Sequence, residues 1–109
     1  MCHDCIFCKI VHKKTETNIL YEDKTVAVFR DINPQAPIHL LIVPKSHIKS
    51  INELSNSDTK IVAKMIMVGR KMAEQENINR SGYKLLFNVE KGGGQIVFHL
   101  HLHLIGGWR

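Results

Sequence analysis

From Gln95 to Leu104 two kinds of side chain alternate without a break. Ile96, Phe98, Leu100, Leu102 and Leu104 form one row, and Gln95, Val97, His99, His101 and His103 the other. A helix cannot place residues i, i+2 and i+4 on one side, whereas a strand must. The segment therefore reads as a β-strand, with one row in the core and imidazoles spaced about 7 Å apart on the other face. One histidine in a strand is usually a satisfied core or surface residue. Three on one face point to metal binding, acid–base chemistry or a nucleophile with helpers.

At 109 residues the chain has room for one domain, residues 1–109, with one hydrophobic core. No apolar run approaches the length of a membrane span, and the start, Met1 to Ile10, lacks the charged-then-apolar layout of a signal peptide. A cytoplasmic protein with no membrane partner is expected. Fifteen Lys and Arg against ten Asp and Glu give a net charge of +5. The basic residues are scattered without aromatic neighbours, which suits a small anion as well as a nucleic acid.

Cys2, Cys5 and Cys8 fall within the first eight residues. An odd number in a reducing compartment argues against a disulfide framework. Cys5 and Cys8 are spaced to grip one metal ion, which would need two further ligands from among seven histidines. A plain pair of thiols is the alternative, and a redox pair is disfavoured because no βαβ pattern follows.

The remaining elements read in order. Ile19–Tyr21 and Val26–Phe29 are short strands around a turn at Glu22-Asp23-Lys24. Asn33 to Pro37 is a rigid loop, and Ile38 to Val43 a third strand. Ser46 to Leu54 is a short helical or irregular link. Ser55-x-x-Asp58 resembles a capping box opening a helix that runs to about Glu76. Ile61, Met65, Val68 and Met72 form its core stripe. Gly82 to Val89 is a fourth strand, Gly92 to Gly94 a flexible loop, and the histidine segment a fifth strand. The fold class is α+β with a mostly antiparallel sheet.

Several segments, in this order, resemble one family: Phe7 with Lys9-Ile10; Asp31-Ile-Asn-Pro-Gln-Ala-Pro-Ile-His39; Val43-Pro-Lys-Ser-His-Ile48; Asn88; Gly93-Gly-Gln95; and His99-x-His101-x-His103. The sequence is similar to the histidine triad (HIT) proteins, specifically the Hint branch, over nearly its whole length. The resemblance implies a HIT-like fold: a five-stranded antiparallel sheet with one long and one short helix. Two protomers would join as a homodimer with a ten-stranded sheet. It implies hydrolysis at the α-phosphate of nucleoside 5′-phosphoramidates, conjugates of adenosine or guanosine monophosphate, through a nucleotidyl-histidine intermediate.

By the same resemblance His101 is the nucleophile, its ring oriented by a backbone carbonyl near His99. His103 binds a non-bridging phosphate oxygen, and His39 completes the cluster behind the triad. Asp31, with Ile32 beside it, meets the ribose; a turn-stabilising Asp is the plain alternative. Asn88 and the backbone around Gly94, Gln95 and Ile96 meet the phosphate side. Phe7, Ile10 and Phe29 wall the base pocket, although each is equally well explained as core. In similar proteins a C-x-x-C pair binds zinc with two histidines. Carried over, this gives a closed structural Zn²⁺ site of Cys5, Cys8, His47 and His99, with residues 1–9 as the zinc-binding segment and Cys2 and His3 spare.

Two departures are notable. Ile96 stands where the branch commonly has serine, and the sequence ends at Trp108-Arg109 without the longer tail of many Hint proteins. These features motivate a second reading, a zinc-stabilised purine-nucleotide-binding or partner-binding module with little catalysis. A third uses the triad itself as a catalytic zinc site. Diadenosine-polyphosphate hydrolases are disfavoured because His103 occupies the position where they carry glutamine.

Overall fold

The computed structural model describes residues 5–13 and 15–108. Two helices and five strands appear: α1 (Ile6–Val11), β1 (Ile19–Glu22), β2 (Val26–Arg30), β3 (Ile38–Pro44), α2 (Thr59–Gln75), β4 (Tyr83–Leu86) and β5 (Leu102–Gly106). The strands form one antiparallel sheet in the order β1-β2-β3-β5-β4. The α+β class and the five-stranded sheet with one long and one short helix are as expected.

Strands β2 and β3 are apolar at almost every position because both of their faces are covered. Val26 to Phe29 and Leu40 to Val43 are all buried. On one face Val26, Val28, Leu40, Ile42, Leu102 and Leu104 pack against Met65, Val68 and Met72 of α2. On the other, Ala27, Phe29, Leu41 and Val43 pack against Phe7, Ile10 and Val11 of α1. A fully buried side chain such as Leu102 contributes about 1.5–3 kcal/mol. Gly69 lets α2 settle this close: a Cβ there would stand 3.2 Å from Leu85 and 3.6 Å from Leu102.

Local chemistry sets the ends of these elements. Asp23 turns β1 into β2 by accepting from the Thr25 and Val26 N–H groups at 2.7 and 3.0 Å. Burial works against its charge, but these donors, Lys64 and Tyr21 hold the carboxyl well below the usual range. At the start of the long helix the Asp58 carboxylate accepts the Ser55 N–H at 2.9 Å, as the capping pattern predicts. A short 3₁₀ turn at Asn56–Asp58 precedes α2. The helix stops because Asn77 takes φ 61°, and the Ile78 N–H returns to the Ala73 carbonyl at 3.0 Å. A further 3₁₀ turn, Ile51–Glu53, lies in the link after β3.

The histidine strand departs from its reading. β5 begins at Leu102, not Gln95. Ile96 and Phe98 are 87% and 39% exposed, so they do not continue the core row of Leu100, Leu102 and Leu104. The cause is hydrogen bonding outside the ladder. The Gln95 amide donates to the Lys49 and Val97 carbonyls at 2.8 and 3.0 Å, and the Leu100 N–H donates to the Ile48 carbonyl at 2.6 Å. Gln95 and Leu100 thus bind the link after β3 instead of a neighbouring strand. On the other face His99, His101 and His103 are all buried, and the rings of His101 and His103 lie 4.9 Å apart.

Candidate active site and metal centre

The crossing of residues 95–101 over the sheet places the imidazoles at two adjoining sites. His99 serves the first. Its Nε2 donates to the Pro44 carbonyl at 2.8 Å, so Nδ1 is left with its lone pair. That lone pair meets Cys5 Sγ at 3.2 Å, Cys8 Sγ at 3.3 Å and His47 Nδ1 at 3.1 Å, and Cys8 Sγ lies 3.4 Å from His47 Nδ1. All four donor atoms fall within 4.8 Å of one another. A tetrahedral zinc with two sulfur and two nitrogen ligands spaces its S–N and N–N pairs about 3.3–3.6 Å apart, so these residues fit such an ion. Cys5 also caps α1, accepting the Cys8 N–H at 3.3 Å. Cys2 and His3, expected to be spare, lie outside the described residues.

The second site is a cleft of about 480 Å³ on the α1 side of the sheet. Phe7, Ile10, Phe29, Asp31, Ile32, Asn88, Gly94, Ile96, His101 and His103 all line it. Three others are placed differently. His99 stands behind the cleft and contributes its carbonyl, which accepts from His101 Nδ1 at 2.7 Å. His39 is also behind it, holding His103. Gln95 does not line the cleft: its side chain is bonded to Glu90, Lys49 and Val97, and its N–H donates to the Glu90 carbonyl. The Gly93 and Gly94 N–H groups are likewise bonded within the loop, to Glu90 and Lys91. The glycine segment therefore brings its main chain to the Asn88 end of the cleft, but these three amides are already engaged. Gly94, at φ 88°, needs the freedom glycine provides.

Hydrogen bonds fix the tautomers. His101 donates through Nδ1, so Nε2 carries the lone pair in a ring that lines the cleft. His39 Nδ1 accepts from the Gln35 N–H at 3.0 Å, so its proton sits on Nε2. That proton is 2.9 Å-bonded to His103 Nδ1, with Asp31 Oδ2 at 3.3 Å. His103 consequently carries its proton on Nε2, 3.3 Å from the Asn88 side-chain amide, and a proton there is satisfied with the amide oxygen, not its NH2, turned toward it. The protonated Nε2 of His39 also argues against a metal among Asp31, His39 and His103, although these three converge. The triad reading as a catalytic zinc site fails similarly, because His99 Nδ1 faces the cysteines and His101 Nδ1 faces a carbonyl. Asp31 lines the cleft, and its Oδ1 accepts the Asn33 N–H at 2.9 Å, the turn bond of its plain alternative.

Burial lowers the pKa of all three triad imidazoles. For His99 and His103 the value falls to about 4, with neighbouring imidazoles adding to the effect. The Pro44 carbonyl opposes it at His99, and Asp31 at His103. Sequence reasoning missed part of the wall, notably Thr15, Thr17, Arg30 and Gln35. Their only sequence signal is proximity to recognised segments.

Comparison with known proteins agrees with this architecture. The family model described as "Scavenger mRNA decapping enzyme C-term binding" matches residues 4–107. The chain is 44% identical over 107 residues to the purine nucleoside phosphoramidase of Escherichia coli K12, covering 98% of this chain and 90% of that one. It superposes on a HIT family hydrolase from Legionella pneumophila with a TM-score of 0.94 at 46% identity, covering 97% and 95% of the two chains. A HIT family hydrolase from Clostridium thermocellum gives the same score at 42% identity, covering 97% and 92%. The chain belongs to the histidine triad family and is a HIT hydrolase.

The His103 ring tests the electrostatics of the cleft. Its folded pKa of about 4 lies below the ordinary 6.5, so the folded state binds fewer protons than the unfolded chain between these values. Its stabilising contribution is complete above pH 6.5 and is lost as pH falls toward 4. An NMR titration of the His103 ring should give a midpoint well below 6.5; a midpoint at or above 6.5 would contradict the assigned environment.

Proposed function

We propose that this protein hydrolyses purine nucleoside 5′-phosphoramidates, of adenosine or guanosine, at the α-phosphate through a nucleotidyl-histidine intermediate. The observation that carries the reading is the 2.7 Å bond from His101 Nδ1 to the His99 carbonyl. It leaves Nε2 unprotonated, and the lowered pKa keeps it so at neutral pH. His101 Nε2 attacks the α-phosphorus; the P–N bond to the leaving amine breaks as the amine takes a proton from water in the open cleft. Positive charge on the His101 ring is met by the His99 carbonyl. His103, donating through Nε2, and Asn88 stabilise the phosphoryl oxygens. Water then attacks phosphorus, the bond to His101 breaks, and the nucleoside monophosphate leaves.

The cleft volume suits one nucleotide, so the partner is a small-molecule conjugate rather than a nucleic acid. Phe7, Ile10 and Phe29 supply an apolar slot for a base, and Asp31 an acceptor for ribose hydroxyls. Incubation with adenosine 5′-phosphoramidate should release adenosine monophosphate, and His101→Ala should lower kcat by at least about 10³-fold while retaining monophosphate binding. Monophosphate binding without turnover by the parent would favour the binding-module reading, which the exposed Ile96 also supports because it offers no donor at the rim.

The ion suited to Cys5, Cys8, His47 and His99 is Zn²⁺ in a closed structural role. With four protein ligands it would leave no position for water and would tie residues 5–9 to the link after β3, through His47, and to the triad, through His99. This makes residues 1–109 one HIT domain. Purified protein should contain one zinc per chain, Cys8→Ser should lose it, and chelation should lower Tm. Full zinc content in Cys8→Ser would refute the assignment.

A homodimer is supported by β4, an edge strand with an unpaired outer side, beside α2, where Ile66 and Met67 are 42% and 54% exposed. Sedimentation equilibrium should give twice the 12.5 kDa chain mass; a monomer would refute it. No helix of the described residues is long and apolar enough to cross a membrane, and a cytoplasmic location is proposed with the function.

A further inference from the structure

Glu90 has a backbone that few side chains tolerate. Its φ of 60° and ψ of 176° lie in a region that glycine occupies almost alone. The neighbouring positions 92, 93 and 94 are glycines, yet the strained position is a glutamate. Something must hold it there, and the contacts are on both its backbone and its side chain.

Its N–H donates to Gln95 Oε1 at 2.8 Å, and its carbonyl accepts from the Gly93 and Gln95 N–H groups at 3.0 and 3.1 Å. These bonds close the glycine segment into a compact turn. Its carboxylate then fastens that turn to the body of the protein. Oε2 accepts from the fully buried Ser50 Oγ at 2.5 Å, and Lys49 Nζ lies 3.9 Å from Oε1. Ser50 is itself fixed, accepting the Asn52 N–H at 3.2 Å. Gln95 binds the same segment through the Lys49 carbonyl at 2.8 Å. The loop is therefore pinned twice to residues 49–50. Two cleft-lining residues flank the pin: Asn88 lies two residues before Glu90 and Gly94 four after it. They also stand close together: a Cβ added to Gly94 would come 3.9 Å from the Asn88 side chain.

We propose that Glu90 is a positioning residue for the phosphate end of the cleft: tethered to Ser50, it sets where Asn88 and Gly94 stand relative to His101 and His103. The inference rests on the hydrolase reading above for its kinetic consequence. Glu90 touches no substrate; it acts through the loop. Its side chain keeps the loop in one arrangement, which the run of glycines by itself would leave among many.

Two variants separate this role from general stability. Glu90→Gly removes the tether but accepts the backbone angles without strain, so the protein should still fold. Glu90→Gln keeps length and an acceptor for Ser50. In ligand-free protein, Gly93 and Gln95 amide hydrogen exchange should speed up by about tenfold or more in Glu90→Gly, with α2 amides unchanged. With adenosine 5′-phosphoramidate, kcat should fall about tenfold, with KM changed less than threefold and Tm nearly unchanged. Glu90→Gln should restore most of both readouts.

Unchanged exchange in Glu90→Gly overturns the tether, and faster exchange with parental kcat overturns the positioning role. A loss of Tm and kcat together, with α2 exchange also accelerated, would show a structural residue only and would likewise overturn it. A parent protein that turns over no phosphoramidate would refute the proposed hydrolysis instead, and the exchange comparison would still decide whether Glu90 holds the loop.

Discussion

The site depends on how one buried imidazole divides its bonds. His99 donates from Nε2 to Pro44, directs Nδ1 at Cys5, Cys8 and His47, and offers its backbone carbonyl to His101. If the ring flipped, the donor set at the cysteines would lose a nitrogen lone pair. If the backbone moved, His101 would lose the acceptor that fixes its tautomer. The candidate metal centre and the candidate nucleophile thus share a residue without sharing a ligand. An ion bound by the cysteines would act by holding the backbone of position 99, not by entering the chemistry.

The same economy runs through the second line of contacts. The Gln35 N–H sets the proton on His39, which sets the proton on His103, whose Nε2 then meets the Asn88 side chain at the cleft wall. Each link is a backbone or ring hydrogen bond in a buried place, where a wrong tautomer would leave two donors facing each other. Burial also explains why the rings are neutral: removing imidazolium from water lowers the pKa of each triad member. Neutral rings can serve as nucleophile and as directed donor, whereas charged rings could only donate.

Much of the fold was legible because its signals are local. The strand alternation, the Ser55–Asp58 cap and the stripe of Ile61, Met65, Val68 and Met72 each follow from backbone periodicity and nearest-neighbour bonds. The histidine strand was over-extended for the opposite reason. Alternation is a necessary sign of a strand, but Gln95 and Leu100 find hydrogen-bond partners in the link after β3, which no periodicity encodes. The site was legible only with the family resemblance. That resemblance drew Cys5, Cys8, His47 and His99 together across more than ninety residues of chain, whereas it missed that Gln95 turns inward.

The sequence by itself determined the composition of each face: which side chains alternate, where the long helix starts, and that three imidazoles share one stretch of chain with a cysteine pair elsewhere. Those properties follow from covalent order and the fixed periods of strand and helix. Only the tertiary structure decided which imidazole nitrogen carries a proton, which histidine faces the cysteines and which faces the cleft, and that Glu90 adopts a glycine-like backbone. Such choices depend on carbonyls and amides supplied by distant segments, and a ring with two nitrogens has no preference until one of them is bound.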